Sequence, residues 1–383
     1  MDSSIASRVP NEVLEKIFFE TNPDREKTPF TPNYALTQLA LVSKRFATLA
    51  QRELYRILYL GLERPDAVRA LARLCDTIAD KPALAANVRG IFYSLSSSAH
   101  AAENLFLAEL VFKCPRLVDF EMNQWAPNTT VLIDALTHCK TLQSVRITGD
   151  EGDIYGDTPF CRVSKFWALL QGWPDLRRVV VEPILALDIR SRANAPPPTV
   201  TPDACSSLIF VNLEAVPMHD ENLRILSAIA PHLAVLTIHD NTMELAEMVP
   251  PPTTQTLSAA LVRWKHSLTS LEIAPEMGDN LDPHLHPILS TMPQLRSLSL
   301  RSSHLAPLSL ASGFPVLSAL KFTIEAGQVG EVLSSLRAQG GLPALRKLRI
   351  RFSESNQRAD DSVLEELQDV CDERDIQLDC PGL

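Results

Sequence analysis

Glycine is scarce in this chain: 13 of 383 residues. No Gly-x-Gly-x-x-Gly, phosphate loop or Gly-x-Ser-x-Gly elbow occurs, so the usual glycine motifs for gripping phosphate or exposing a strained nucleophile are missing. No uninterrupted apolar run approaches the roughly 18–20 residues that a membrane span needs. The start, Met1-Asp2-Ser3-Ser4, lacks the basic and apolar regions of a signal peptide. Cations are outnumbered, 36 Lys and Arg against 46 Asp and Glu, and the net charge of −10 argues against non-specific nucleic-acid binding by the whole surface. Seven cysteines are an odd number without an export signal, so reduced thiols are expected. These absences point away from an enzyme acting alone, from a cofactor and from a membrane partner. They predict a globular protein of the cytoplasm or nucleus, long enough for two or three domains.

What the chain does have begins at Arg8. Pro10 can stand at the first turn of a helix because its missing N–H would find no intrahelical partner there. Behind it Val13, Leu14, Ile17 and Phe18 recur at helical spacing and form an apolar stripe. A polar insert, Thr21 to Asn33, interrupts the pattern. Spacing resumes at Leu36, Leu39 and Val42, and Ser43 stands where an N-cap would start a third helix carrying Phe46, Leu49, Ala50 and Leu54. Three short helices in about fifty residues make a small bundle, and part of its apolar surface is expected to await a partner.

Val9-Pro10-x-Glu12-Val13-Leu14-x-x-Ile17-Phe18, then Leu39-Ala40-Leu41-Val42-Ser43-Lys44-Arg45-Phe46, then Arg52-Glu53-Leu54-Tyr55, resembles an F-box. Two departures are a valine for the usual leucine before the proline and a longer insert between the first two helices. The resemblance implies docking on the Skp-type adaptor of a cullin–RING ubiquitin ligase. It implies that Val9, Pro10, Val13, Leu14, Ile17, Leu39, Val42 and Phe46 supply the apolar surface packed against that adaptor. Thr28 and Thr31, each followed by proline, would place phosphates beside that surface.

After Tyr59 a short phrase returns: a bulky residue, often Pro, any residue, Leu, two residues, then two apolar positions separated by one. It is clear at Cys114-Pro115-Arg116-Leu117-Val118-Asp119-Phe120-Glu121-Met122. It recurs at Leu142-Val145-Ile147, Leu176-Val179-Val181, Leu208-Val211-Leu213, Leu233-Leu236-Ile238, Leu268-Leu271-Ile273, Leu295-Leu298-Leu300, Leu317-Leu320-Phe322 and Leu345-Leu348-Ile350. A weaker copy, Val88-Ile91-Tyr93, comes first. Copies lie about 22 to 35 residues apart, the period of a solenoid. The alternating pair reads as a half-buried strand. The segments between include amphipathic helices at Ala101–Lys113, Thr129–His138, Glu221–Ile229 and Ala326–Arg337. Such a unit cannot bury its apolar face alone, so neighbours stack into a curved parallel sheet. This resembles a degenerate leucine-rich repeat lacking its asparagine or cysteine ladder. The expected fold is therefore α/β: a three-helix domain at 1–60, then a strand–helix solenoid at 61–383. Val363, Leu364, Leu367, Val370 and Cys371 mark a last helix with an acidic outer face, and Ile376, Leu378 and Cys380 a final strand.

Candidate chemistry is sparse. Cys114, Cys139 and Cys205 each sit three residues before the repeat leucine, where Trp173, Met292, Phe314 and Leu342 stand in other copies. That interchange reads as core thiols rather than metal ligands. His284-x-His286 has only Asp282 nearby, and the acidic loop at Gly149–Asp153 departs from calcium-loop spacing. The proline runs at 194–199 and 250–254 read as surface loops. With no metal or cofactor expected, the reading is a substrate receptor of a Skp–cullin–F-box type ubiquitin ligase. The other reading is a ligase-independent repeat scaffold. Period-two alternation turns Arg301, Lys321, Lys347, Arg349 and Arg351 onto the exposed sheet face, where they suit an acidic or phosphorylated target segment.

Overall fold

The computed structural model describes residues 9–20, 34–61, 67–94, 101–125, 128–149, 160–182, 185–186, 199–214, 216, 218–239, 252–273, 285–301, 314–338, 342–352 and 361–380. The insert with Thr28 and Thr31, the proline run at 194–198, most of the acidic loop and His284 lie outside these residues. Pro10 does precede a helix: its carbonyl accepts the Leu14 N–H (3.2 Å), and helix α1 runs Asn11–Glu20. Helix α2 is Tyr34–Ala40 and α3 is Lys44–Arg56. Ser43 caps α3, its hydroxyl accepting the Phe46 N–H at 3.2 Å, which satisfies one of the four N–H groups the first turn leaves open.

Leu14, Phe18, Leu36, Leu49 and Ala50 form the core of this bundle, with Val9, Leu39, Ala40, Phe46 and Leu54 packed on it. Each fully buried leucine contributes about 1.5–3 kcal/mol. Polar ties fix the angle between helices: Arg45 donates to the Val9 carbonyl (2.5 Å) and to Asn11 Oδ1 (2.8 Å), and Arg52 pairs with Glu15 at 2.6 Å.

The chain divides into two compact units, Met1–Cys161 and Arg162–Leu383. In the first, strands Ile57–Gly61, Gly90–Ser94, Asp119–Asn123 and Ser144–Thr148 pair in chain order, all parallel. In the second, the order is Arg178–Val181, Phe210–Glu214, Val235–His239, Ser270–Ile273, Ser297–Arg301, Ala319–Ile324, Lys347–Phe352 and Gln377–Asp379, again parallel throughout. Within each unit the strand order follows the chain without reversal. That is the mark of a strand–helix solenoid rather than a doubly wound sheet. Helices from successive repeats pack side by side.

The repeat phrase has a plain mechanical basis. In the Cys114–Leu117 turn the Leu117 N–H returns to the Cys114 carbonyl (3.2 Å), and Trp173–Leu176, Cys205–Leu208 and Leu342–Leu345 do the same. Pro115, Pro174 and Pro343 follow the bulky residue in three of these turns, a position whose φ proline presets. In most repeats the residue after the leucine then offers one carbonyl to two N–H groups of the next repeat. Val118 accepts from Gln143 and Ser144, Ile209 from Ala234 and Val235, Ala234 from Thr269 and Ser270, and Ser318 from Arg346 and Lys347. This main-chain ladder lies at the entrance to each strand.

Two expectations shift. The helical reading to Tyr59 is too long: α3 stops at Arg56, and Ile57 takes extended angles (φ −130, ψ 121), so the sheet begins inside the stretch assigned to the N-terminal domain. Ile57 and Tyr59 have the branched and aromatic side chains that favour a strand. The Arg178–Val181 strand buries Val179, Val180 and Val181 in succession, so alternation fails there because both faces are covered.

Candidate functional site

The residues expected to form a docking surface on the bundle separate into two layers. Leu14 (4% exposed) is in the core, and Leu39, Phe46 and Val9 pack on it, Phe46 edge-on to Phe18 at 5.4 Å between ring centroids. Leu14 is thus committed to the bundle's own core, while Val9, Leu39 and Phe46 are half-buried against it. Val13, Ile17 and Val42 are exposed, as is Pro10. The periodicity omitted two further exposed apolar side chains, Phe19 at 52% and Leu41 at 77%, with Val42 at 63%; Phe19, two residues past Ile17, points to a different side of α1 from Val13 and Ile17. Val13 and Ile17 are one turn apart on α1. Arg45, in the first turn of α3, bonds to Val9 and Asn11 and so ties the start of α1 to the start of α3. Arg56 lies over the Phe19 ring at 5.4 Å, a cation on an aromatic face.

The cationic group on the second unit is arranged as the alternation predicts, but two of its members are already paired. Register aligns Arg301 with Thr323 and Arg351, and Lys321 with Arg349. Leu298, Leu300, Leu320, Phe322, Leu348 and Ile350 are buried beneath. Lys321 binds Glu272 at 2.5 Å, and Arg349 binds Asp379. Lys347 and Arg351 are exposed on their strand. A uniformly basic patch is therefore not what the sheet presents. The correction has a simple cause: Asp379 is in register with Arg349 on the next strand, and Glu272 faces the same side as Lys321 two strands away, so their charge reaches the cations.

Glu272 is the hub of a small network. His239 Nε2 lies 3.4 Å from its Oε1, Ser299 donates to the same oxygen at 3.3 Å, and Lys321 completes the set. The hydrogen bond from His239, then those from Lys321, hold the carboxyl down to about 2 against the opposing effect of burial.

The thiols are structural. Cys114, Cys139 and Cys205 are buried, as are Trp173, Met292, Phe314 and Leu342 at the equivalent positions. Burial pushes the Cys114 and Cys205 thiols up to about 12, and the Cys205 thiol donates to the Leu170 carbonyl at 2.9 Å. His286 packs edge-on to Phe314 at 5.6 Å. Among the described residues no group of histidine, cysteine and carboxylate side chains could hold a metal ion, and no helix is long and apolar enough to cross a membrane. No family model matches the chain, and no curated protein matches its sequence.

Proposed function

We propose that this chain is the substrate-receptor subunit of a Skp–cullin–F-box type ubiquitin ligase. The observation that carries the reading is the exposure of Val13, Ile17, Leu41 and Val42 on a three-helix bundle whose sequence resembles an F-box. Large apolar side chains exposed on so small a bundle are costly to leave in water, and taken together these form a docking patch. On this reading the patch docks on the Skp-type adaptor and through it on a cullin. Leu14, Leu39 and Phe46 act from beneath by fixing the helices that display it.

The chain performs no bond chemistry of its own. Its repeats hold a target so that a lysine of the target stays near the conjugating enzyme, raising the effective concentration of the reacting groups. Lys347 and Arg351, exposed on their strand, grip an acidic or phosphorylated target segment.

Capture of purified Skp-type adaptor by the full chain tests the reading. Val13→Asp and Val42→Asp should each abolish capture, because burying an unpaired charge in the contact costs several kcal/mol. Both positions are exposed, so the circular dichroism melt should not move. If the parent captures no adaptor, or both variants capture as much as the parent, the chain is a scaffold outside the ligase.

A further inference from the structure

The outward face of the first unit carries a second arrangement, at the opposite sign from Lys347 and Arg351. Tyr59 and Phe92 are register partners on adjacent strands, and their rings stack with centroids 5.0 Å apart at 27°. On its other side Phe92 is in register with Glu121, and Gly90 with Asp119. Gly90 matters here: a Cβ at that position would lie 3.0 Å from Phe92 Cε2. The ring therefore leans along its strand over the glycine, and a larger residue there would have to push it aside by a few tenths of an ångström. The row is thus a stacked aromatic pair followed directly by two carboxylates on the next strand, about 4.8 Å away.

All four side chains are half-buried. Neither Asp119 nor Glu121 enters an ion pair or a side-chain hydrogen bond among the described residues. Arg146 is in register with Glu121 on the far side, yet the two do not pair. Burial raises the Asp119 pKa, the signature of a carboxylate that has lost water and gained no cation. Glu272, on the second unit, shows the contrast: there Lys321 and His239 satisfy the carboxylate and hold its pKa down.

We infer that this row is a binding site for an arginine side chain presented by a basic segment of a partner protein. Arginine fits both halves. Its planar guanidinium is weakly hydrated and lies against an aromatic face, while its N–H fork meets a carboxylate in bidentate fashion. A lysine ammonium carries the charge without the plane or the fork. A phosphorylated or acidic segment would meet Asp119 and Glu121 with like charge. The inference rests on the receptor reading only in taking the partner to be a target; the site itself is independent of adaptor docking.

The test uses the full chain and a fluorescent peptide carrying arginines in a glycine–serine background, with binding read by anisotropy. Lysine and citrulline versions are the companions, citrulline keeping the shape of arginine without its charge. Expected is binding of the arginine peptide, weakened about ten-fold or more by Glu121→Gln and by Phe92→Leu, and lost with citrulline. Glu365→Gln, the same charge change on an exposed helix position of the second unit, should leave affinity unchanged. Adaptor capture should be the same for every one of these variants, so failure here and failure of the ligase reading remain distinguishable. Equal affinity of parent, Glu121→Gln and Phe92→Leu would overturn the site. So would equal binding of the citrulline peptide, or a Glu365→Gln loss as large as that of Glu121→Gln. Equal affinity for lysine and arginine peptides would overturn the choice of arginine.

Discussion

Glu272 shows what a single side chain can fix and what it leaves visible to experiment. Its folded pKa of about 2 lies below its ordinary value of 4.5, so its ionised form stabilises the fold. That stabilisation is full above about pH 4.5 and is lost as pH falls towards 2. Glu272→Gln should cost about 1–2 kcal/mol at pH 7 after discounting for solvent. In urea melts across acidic pH the gap between parent and variant should close as pH falls through that window; a constant gap would show that shape rather than charge matters there. The sequence made the position of Glu272 legible, since it stands at an outward place of its repeat. Its partners were not, because His239 and Lys321 are brought to it only by register across four strands. Leu14 and Val13 make the same point on the bundle. Helical spacing draws the stripe, but which neighbour faces the other helices depends on crossing angles that spacing does not contain. A Leu14→Asp substitution should therefore unfold the bundle, lowering the melting temperature, where Val13→Asp should not.

At the level of whole elements, the repeats are joined through the main chain, and that has a measurable signature. Thr269 donates its N–H to the Ala234 carbonyl at 2.8 Å, and its hydroxyl reaches the same oxygen at 3.0 Å. Thr269→Pro removes the N–H and should cost about 3 kcal/mol or more. Thr269→Val keeps the N–H, removes only the hydroxyl bond, and should cost about 1 kcal/mol. Chemical denaturation of the two variants separates the ladder from its hydroxyl accessory, and equal losses would assign the joint to the side chain. Most elements were legible: the helix at Ala101–Lys113 and the last helix and strand lie where their periodicity places them. The ladder was not, because a backbone carbonyl leaves no letter in the sequence. The first strand was missed for a related reason. Ile57–Gly61 follows α3 without a turn residue, and no glycine or proline marks the change.

Across the whole molecule, all seven cysteines are free, six of them buried and Cys380 half-buried. Burial raises Cys75, Cys114 and Cys205 to about 12 and Cys371 to about 11, so little thiolate exists near neutral pH and less of it is reachable. Titration with a thiol reagent at neutral pH should find at most Cys380 reactive in the native protein and all seven in guanidinium. Reaction of Cys114 or Cys205 in the native state would contradict their burial. The regular parallel order of strands was legible in the period alone, because each copy supplies one strand and neighbours in sequence are neighbours in the sheet. The main-chain ladder has one more consequence. Since the stitches between repeats ask of a side chain only that it not be proline, the outward positions are free variables. A library randomised at Glu121, Asn212 and Thr237 could be selected for new ligands by display while the strand register stays put, so that specificity can be rewritten without rewriting the scaffold.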